Sequence, residues 1–258
     1  MTCIEGEQIL IFDSPTQFKN KSVKANVFYH GTSFLFLESI VKHGLGGINP
    51  NIKFKNLELL QYLSTQAEKY LKENQHYQKY RESVLAMANQ TDLEMPSKNN
   101  ENIFLNYRHD CIYVSYSIER AAIYACTNRY GSEILEYCIK LYKLLKERFI
   151  DFQLRDDLNL FGIEKYLDYK HRPILIEISG VKDHELETEK GYEAGEVLSN
   201  LRQLIPTLSK KEKFEKLQFV NFRLLRTVPI NRLKVYEIDF ESHPRYKDFE
   251  WTMTKISL

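Results

Sequence analysis

The chain predicts an α+β fold, and three observations carry that expectation. Short β-favouring runs (Val27-Phe28-Tyr29, Cys111–Ser115, Ile174–Ser179, Phe219–Arg226 and Leu233–Phe240) are scattered between helical segments. Few of them stand in the strand-helix-strand alternation that a doubly wound parallel sheet needs. The composition of the 258 residues, 43% apolar and 28% charged, is that of a globular chain rather than a disordered or fibrous one. The length allows one large domain or two small ones.

The elements follow in order. Residues 1–25 read as a mixed lead-in. The run at Val27 ends in His30-Gly31-Thr32. Ser33 can cap a helix from Phe34 to His43, with Leu37, Ile40 and Val41 on one face and Gly44 as the stop. Residues 53–88 read as long helices, with Leu60, Leu63, Ala67, Tyr70 and Leu71 in the helical repeat. Asn89–Asn102 is polar, holds Pro96 and reads as an exposed loop. In the strand at Cys111–Ser115, Ile112 and Val114 share one face, Tyr113 and Ser115 the other. Ser117 can cap a helix over Ile118–Thr127. A further helix runs from Ser132 to about Phe149, with Ile134, Cys138, Leu141 and Leu145 in register. Pro173 opens the strand Ile174–Ser179. Residues 183–215 are charged and mixed, with short helices near 194–204 and 209–216. Two strands joined by a turn at Pro229 close the pattern.

Composition also excludes. The 36 basic and 35 acidic residues leave a net charge of +1, which speaks against nucleic-acid binding through a strong global field, a local basic patch being left open. No apolar stretch approaches the roughly 20 residues that span a bilayer, so no membrane partner is expected. The opening residues Met1–Asp13 are acidic early and have no basic stretch, so no secretory signal is expected. Cys3, Cys111, Cys126 and Cys138 have no CxxC spacing and read as reduced thiols of a cytoplasmic protein, with no metal site expected. Cys111 and Cys126 flank the candidate site, and burial is the simplest role for both.

Two segments carry chemistry together. One is the strand ending in His30-Gly31-Thr32, which feeds the helix closing at Lys42-His43-Gly44-Leu45. The other is Ile112-Tyr113-Val114-Ser115, followed by a helix bearing Ala121, Ala122, Tyr124 and Ala125. This pairing resembles the ADP-ribosyltransferase superfamily, in particular the branch that includes diphtheria toxin and the poly(ADP-ribose) polymerases. Tyr113 and Tyr124 stand eleven residues apart, as the nicotinamide-stacking tyrosines of the polymerases do, and Ala121 falls where that family has a small residue under the nicotinamide. Ile174–Val181 is similar to the family's central strand. Val220–Arg226, the Val-Pro-Ile turn and Leu233–Phe240 are similar to its last two strands.

The resemblance covers about 27–45 and 110–240 in pieces. It implies an ADP-ribosyltransferase-like fold, a split antiparallel sheet with flanking helices, in one domain over 1–258 with a helical insertion at about 50–105. That insertion reads equally as a lid, an acceptor-binding arm or packing alone.

The implied activity is an NAD-dependent mono-ADP-ribosyltransferase that passes ADP-ribose to a protein or nucleic-acid acceptor. By association with the family, it would be a bacterial toxin, effector or anti-phage factor, acting in the bacterial or host cytosol, with an antitoxin or inhibitor partner left open. Cleaving the nicotinamide-ribose bond builds positive charge on the sugar, so a site must fix nicotinamide, bend the dinucleotide and stabilise the sugar cation. The resemblance implies that Gly31 grips the nicotinamide amide through its backbone, that His30 and Thr32 help hold the dinucleotide, His30 through the adenosine ribose, and that Tyr113 and Tyr124 sandwich the ring over Ala121. The family's third catalytic position, normally glutamate, falls at Asn221 in Val220-Asn221-Phe222-Arg223. A rival placement uses Glu196, with an extra hairpin after it. Asn221 is preferred because the Val-Pro-Ile turn and terminal strand follow it at the family's spacing. Glu193 and Glu196 read more simply as solvated helix residues.

Two other readings stay open. The missing acid at 221 fits a module that binds NAD or ADP-ribose without turnover. An RNA 2′-phosphotransferase shares the strand-terminal His-Gly-Thr, but that family places histidine where Tyr113 stands.

Overall fold

The computed structural model describes residues 10–12, 27–96, 102–217, 220–240 and 251–258. In chain order its elements are β1 (Leu10–Phe12), β2 (Val27–Ser33), α1 (Leu37–His43), α2 (Pro50–Lys53), α3 (Asn56–Tyr70), α4 (Gln75–Gln78), α5 (Arg81–Ala88), β3 (Asp92–Pro96), β4 (Asn102–Asn106), β5 (Ile112–Ser115), α6 (Ile118–Thr127), α7 (Glu133–Arg148), β6 (Pro173–Ser179), β7 (Leu186–Thr188), α8 (Gly195–Leu204), α9 (Lys210–Leu217), β8 (Asn221–Leu224), β9 (Leu233–Phe240) and β10 (Trp251–Ile256). The fold is α+β. The chain divides into two compact units: Met1–Ile48 with Cys111–Gly131 and Lys170–Leu258, and Asn49–Asp110 with Ser132–Tyr169. The segment expected as an insertion thus folds together with α7 and the stretch after it.

The first unit is built on an antiparallel sheet in the order β1-β10-β9-β6-β2-β5-β8-β7. Its two faces follow from strand alternation. Phe28, Val114, Ile176, Phe222 and Val235 point to one side and are buried. On the other side lies α6, whose Ala121, Ala122, Ala125 and Cys126 pack with Leu175, Ile238, Trp251 and Met253, and with the flanks of Tyr29 and Tyr236. Alanines on this helix let it lie close to the sheet. A Cβ added at Gly31 would stand 1.9 Å from the Ala121 carbonyl oxygen and 2.9 Å from the Ala125 nitrogen. Glycine at 31 is therefore required by the packing of α6 on β2, whatever else it does. Ser117 caps α6 by accepting from the Arg120 N–H at 3.1 Å.

The second unit pairs α3 with α7. Leu59, Leu60, Leu63 and Ala67 of α3, and Ile134, Cys138, Leu141 and Leu145 of α7, are all buried. Glu68 on α3 receives Arg81 in a two-pronged ion pair at 2.7 and 2.6 Å, and the Tyr77 hydroxyl donates to the same carboxylate at 2.6 Å. His109 is 13% exposed at its side chain, with Nε2 3.7 Å from the Glu133 carboxylate. Burial pushes its pKa down to about 4, against a smaller opposing pull from Asp110. A cavity of about 360 Å³ in this unit is lined by Asn51, Leu57, Gln90, Arg108, His109 and Ile134 among others.

Several expectations are corrected. Asn89–Asn102, expected as a loop, contributes β3 and the start of β4, a two-stranded antiparallel sheet with pairs from Asp92↔Asn106 to Pro96↔Asn102. The helix expected from Phe34 begins as a 3-10 turn, with the α-helix starting at Leu37. Val41 is exposed on α1 rather than sharing the buried face of Leu37 and Ile40. Tyr70, expected in the α3 repeat, is exposed and packs edge-on against Phe149 with ring centres 4.9 Å apart. The charged stretch after 183 holds a strand, β7, before its helices. Most of the lead-in over 1–25, and Phe219 of the expected strand Phe219–Arg226, lie outside the described residues. Among the described residues no helix is long and apolar enough to cross a membrane.

Candidate active site

The site begins where two neighbouring strands part. β2 and β5 pair at a single position, Tyr29↔Ser115, whereas β2 pairs with β6 along its whole length from Val27↔Ser179 to Ser33↔Pro173. The Phe34 N–H donates to the Arg172 carbonyl at 2.9 Å, extending the β2–β6 ladder by one residue. Alternation along β2 then turns the backbone groups of Thr32 and His30 towards β6, and those of Tyr29 and Gly31 towards β5. Tyr29 meets Ser115. Gly31 faces the place where β5 has left, so its N–H and C=O point into the opening.

His30 spans that opening. Its Nδ1 lies 2.8 Å from the Tyr113 carbonyl oxygen. A carbonyl can only accept, so Nδ1 carries the proton and Nε2 is the basic nitrogen of a neutral ring. Burial holds the His30 pKa below its ordinary value, against a smaller opposing effect of that same hydrogen bond. No residue among those described bonds Nε2, and the half-buried ring presents there an acceptor of the kind a sugar hydroxyl would use.

The α6 side of the sheet carries two cross-strand rows, fixed by the pairings. One runs Asn221, Ser115, Tyr29, Glu177, Lys234. The other runs Glu187, Arg223, Tyr113, then across the gap to Gly31, Leu175 and Tyr236. Tyr113 thus stands between Arg223 and the opening, half-buried. Ala121 of α6 abuts Gly31. Tyr124, also half-buried, lies three residues further along the same helix face. His30, Gly31, Tyr113 and Ala121 therefore border one opening, the His30 side chain from the sheet face away from α6 and the Tyr113 side chain from the α6 face, and Tyr124 lies one turn on from Ala121.

The remaining expected residues have settings of their own. The Thr32 side chain is buried and its hydroxyl donates to the Gly131 carbonyl at 3.1 Å. Asn221 lies one strand beyond Tyr113, in the Ser115 row, and its Nδ2 donates to Glu189 Oε1 at 2.9 Å. Glu196 is exposed in the first turn of α8, where the rival placement needed a hairpin to follow. Cys126 is buried on the sheet-facing side of α6, and burial pushes its thiol pKa up, away from reactivity. Cys111 accepts from Arg223 Nε at 3.3 Å, while Arg223 Nη1 reaches Glu187 at 3.2 Å.

Sequence reasoning missed Glu189. It follows β7 by one residue, and continuing the β7–β8 register (Thr188↔Phe222) sets it opposite Asn221. Burial raises its carboxyl pKa, with the Asn221 hydrogen bond and then Arg120 of α6 acting to lower it. The available signal was the alternation Leu186-Glu187-Thr188-Glu189 before Lys190-Gly191, a three-residue strand too short to stand out from a charged tract.

No family model, curated protein or solved structure matches the chain.

Proposed function

We propose that the protein is an NAD-dependent mono-ADP-ribosyltransferase acting on a protein or nucleic-acid acceptor. The observation that carries this reading is the opening between β2 and β5, into which Gly31 directs an adjacent donor and acceptor. A primary carboxamide such as that of nicotinamide presents the matching acceptor and donor, and a glycine allows its close approach. Tyr113 on the sheet and Tyr124 on α6 offer aromatic faces to the flat ring. The Nε2 of His30 accepts from a ribose hydroxyl.

In the reaction the bond between ribose C1′ and the nicotinamide nitrogen breaks. Its electron pair leaves with neutral nicotinamide. An acceptor oxygen or nitrogen forms the new bond to C1′ and gives up its proton. The chain's own part is to fix the leaving group, hold the ribose and exclude water.

The uncharged Asn221 favours a second reading, a module that binds NAD or ADP-ribose without turnover. Calorimetry with NAD, run beside an assay of nicotinamide release, separates the two. Binding with release supports the transferase and binding without release supports the module. If neither NAD nor ADP-ribose binds, both readings fail. Labelled NAD added with a lysate, its label followed separately into protein and nucleic acid, identifies the acceptor class.

A further inference from the structure

We infer that Glu189 is the catalytic carboxylate of this site, reaching in from the turn after β7, and that Asn221 is the residue that positions it. The inference rests on the transferase reading above and names the group that reading leaves without a counter-charge.

A bond cleavage that leaves positive charge on a sugar is accelerated by an anion fixed beside it. The acids near the α6 side of the sheet can be taken in turn. Glu187 is occupied by Arg223 at 3.2 Å. Glu177 is occupied by Lys234 at 2.9 Å. Glu119 on α6 is buried and accepts from the Ser117 hydroxyl at 2.7 Å. Glu189 differs from all three. Its hydrogen bond comes from a neutral amide, Asn221 Nδ2, at 2.9 Å, so that contact orients the carboxylate without neutralising it. The cation that bears on it is Arg120 of α6, through the field rather than an ion pair.

Position agrees with charge. Asn221 is paired with Ser115, two residues along β5 from Tyr113, and both point to the α6 side. The amide of Asn221 therefore anchors the Glu189 carboxylate at β8, one strand from β5 and in the row of Ser115 and Tyr29, next to the row that carries Tyr113 and Gly31. Burial disfavours the ionised form of Glu189. Such a group gains most when a cation forms next to it, which is the differential that lowers a barrier rather than strengthening substrate binding. The carboxylate also stands ready to take the proton that the acceptor loses.

The test uses the full chain and NAD. Glu189→Gln keeps the shape and the bond to Asn221 but removes the charge. Nicotinamide release is expected to fall ~100-fold, with NAD affinity by calorimetry held within about threefold. Asn221→Ala is expected to lower kcat about tenfold with KM little changed, and Asn221→Gln to recover part of that loss. Because a single variant can fail by misfolding, the double variant Glu189→Gln with Asn221→Glu is made as well. It moves the carboxylate onto β8 and is expected to regain at least about tenfold over Glu189→Gln alone. Wild-type rates in Glu189→Gln, with nicotinamide release intact in the parent protein, overturn this assignment and leave the transferase reading standing. Absence of nicotinamide release from the parent protein overturns both.

Discussion

The imidazole of His30 takes the hydrogen-bonding place that Gly31 would hold in an unbroken ladder. Continuing the Tyr29↔Ser115 pair would set Gly31 opposite Tyr113, yet the Tyr113 carbonyl is met by His30 Nδ1 at 2.8 Å. The ring thus meets the carbonyl of one strand, while Gly31 of the other has no pairing to β5 among the described residues. It also fixes the tautomer, because a proton committed to Nδ1 makes Nε2 an acceptor. His30→Ala is expected to weaken NAD binding about tenfold, the ~1.5 kcal/mol of one hydrogen bond, measured by calorimetry. Burial lowers the His30 pKa, so the neutral ring persists as pH falls through the ordinary histidine value. NAD affinity should hold down to pH 6.5 and decline only below it. A decline centred above pH 7 would contradict this assignment of the ring.

Gly31 is irreplaceable for a reason that precedes any ligand. An alanine there puts Cβ 1.9 Å from one backbone atom of α6 and 2.9 Å from another, and backbone cannot swing aside as a side chain can. Gly31→Ala is expected to cost about 3 kcal/mol or more and to lower Tm by about 10 °C. Gly195→Ala is the control, since an added Cβ meets nothing within 4 Å there. Equal melting temperatures for Gly31→Ala and the parent would mean that α6 does not lie where described.

The two tyrosines should behave as one unit towards nicotinamide. Tyr113→Ala and Tyr124→Ala are each expected to reduce nicotinamide affinity, while Tyr113→Phe retains it. Rings that share one ligand are non-additive, so the double variant should lose less than the sum of the singles by about 1 kcal/mol. Strict additivity would show that the rings do not hold the same molecule.

His109 gives the helical unit a pH dependence of known sign. Its pKa is pushed down to about 4 by burial, while the unfolded chain keeps a value of about 6.5. Between those values the unfolded state binds the proton and the folded state does not. Stability is therefore full above about pH 6.5 and falls by ~1.4 kcal/mol for each unit below it, until about pH 4. Urea titrations at pH 7 and pH 5 should show the fall, and His109→Gln should flatten it. An unchanged slope in that variant would place the proton uptake elsewhere.

The strands around the opening were legible because each is an apolar run bounded by a turn or a proline. Pro173 starts β6 and the Val-Pro-Ile turn precedes β9. Helices α6 and α7 were legible for a second reason: Ser117 and Ser132 cap them, and α7 repeats Ile134, Cys138, Leu141 and Leu145 on one face. What escaped were strands that their local sequence does not set apart. β3 lies in a polar tract, and β7 has three residues beside a charged stretch. Val41 and Tyr70 escaped because an apolar side chain in helical register is not thereby covered. The site divides along the same line. His30, Gly31, Tyr113, Ala121 and Tyr124 lie on local motifs, whereas the meeting of Asn221 with Glu189 depends on the register of two strands separated by 32 positions in the chain.

The helical unit is threaded from two stretches, 49–110 and 132–169, with α3 from one packed on α7 from the other. Trimming the gene to delete only the first stretch would strip α7 of its cover, leaving Ile134, Cys138, Leu141 and Leu145 as a bare oily stripe. Such a shortened product would clump during overexpression. Anyone engineering a minimal version of the sheet-bearing unit must excise both stretches together and bridge Ile48 to Cys111 and Gly131 to Lys170 with new linkers.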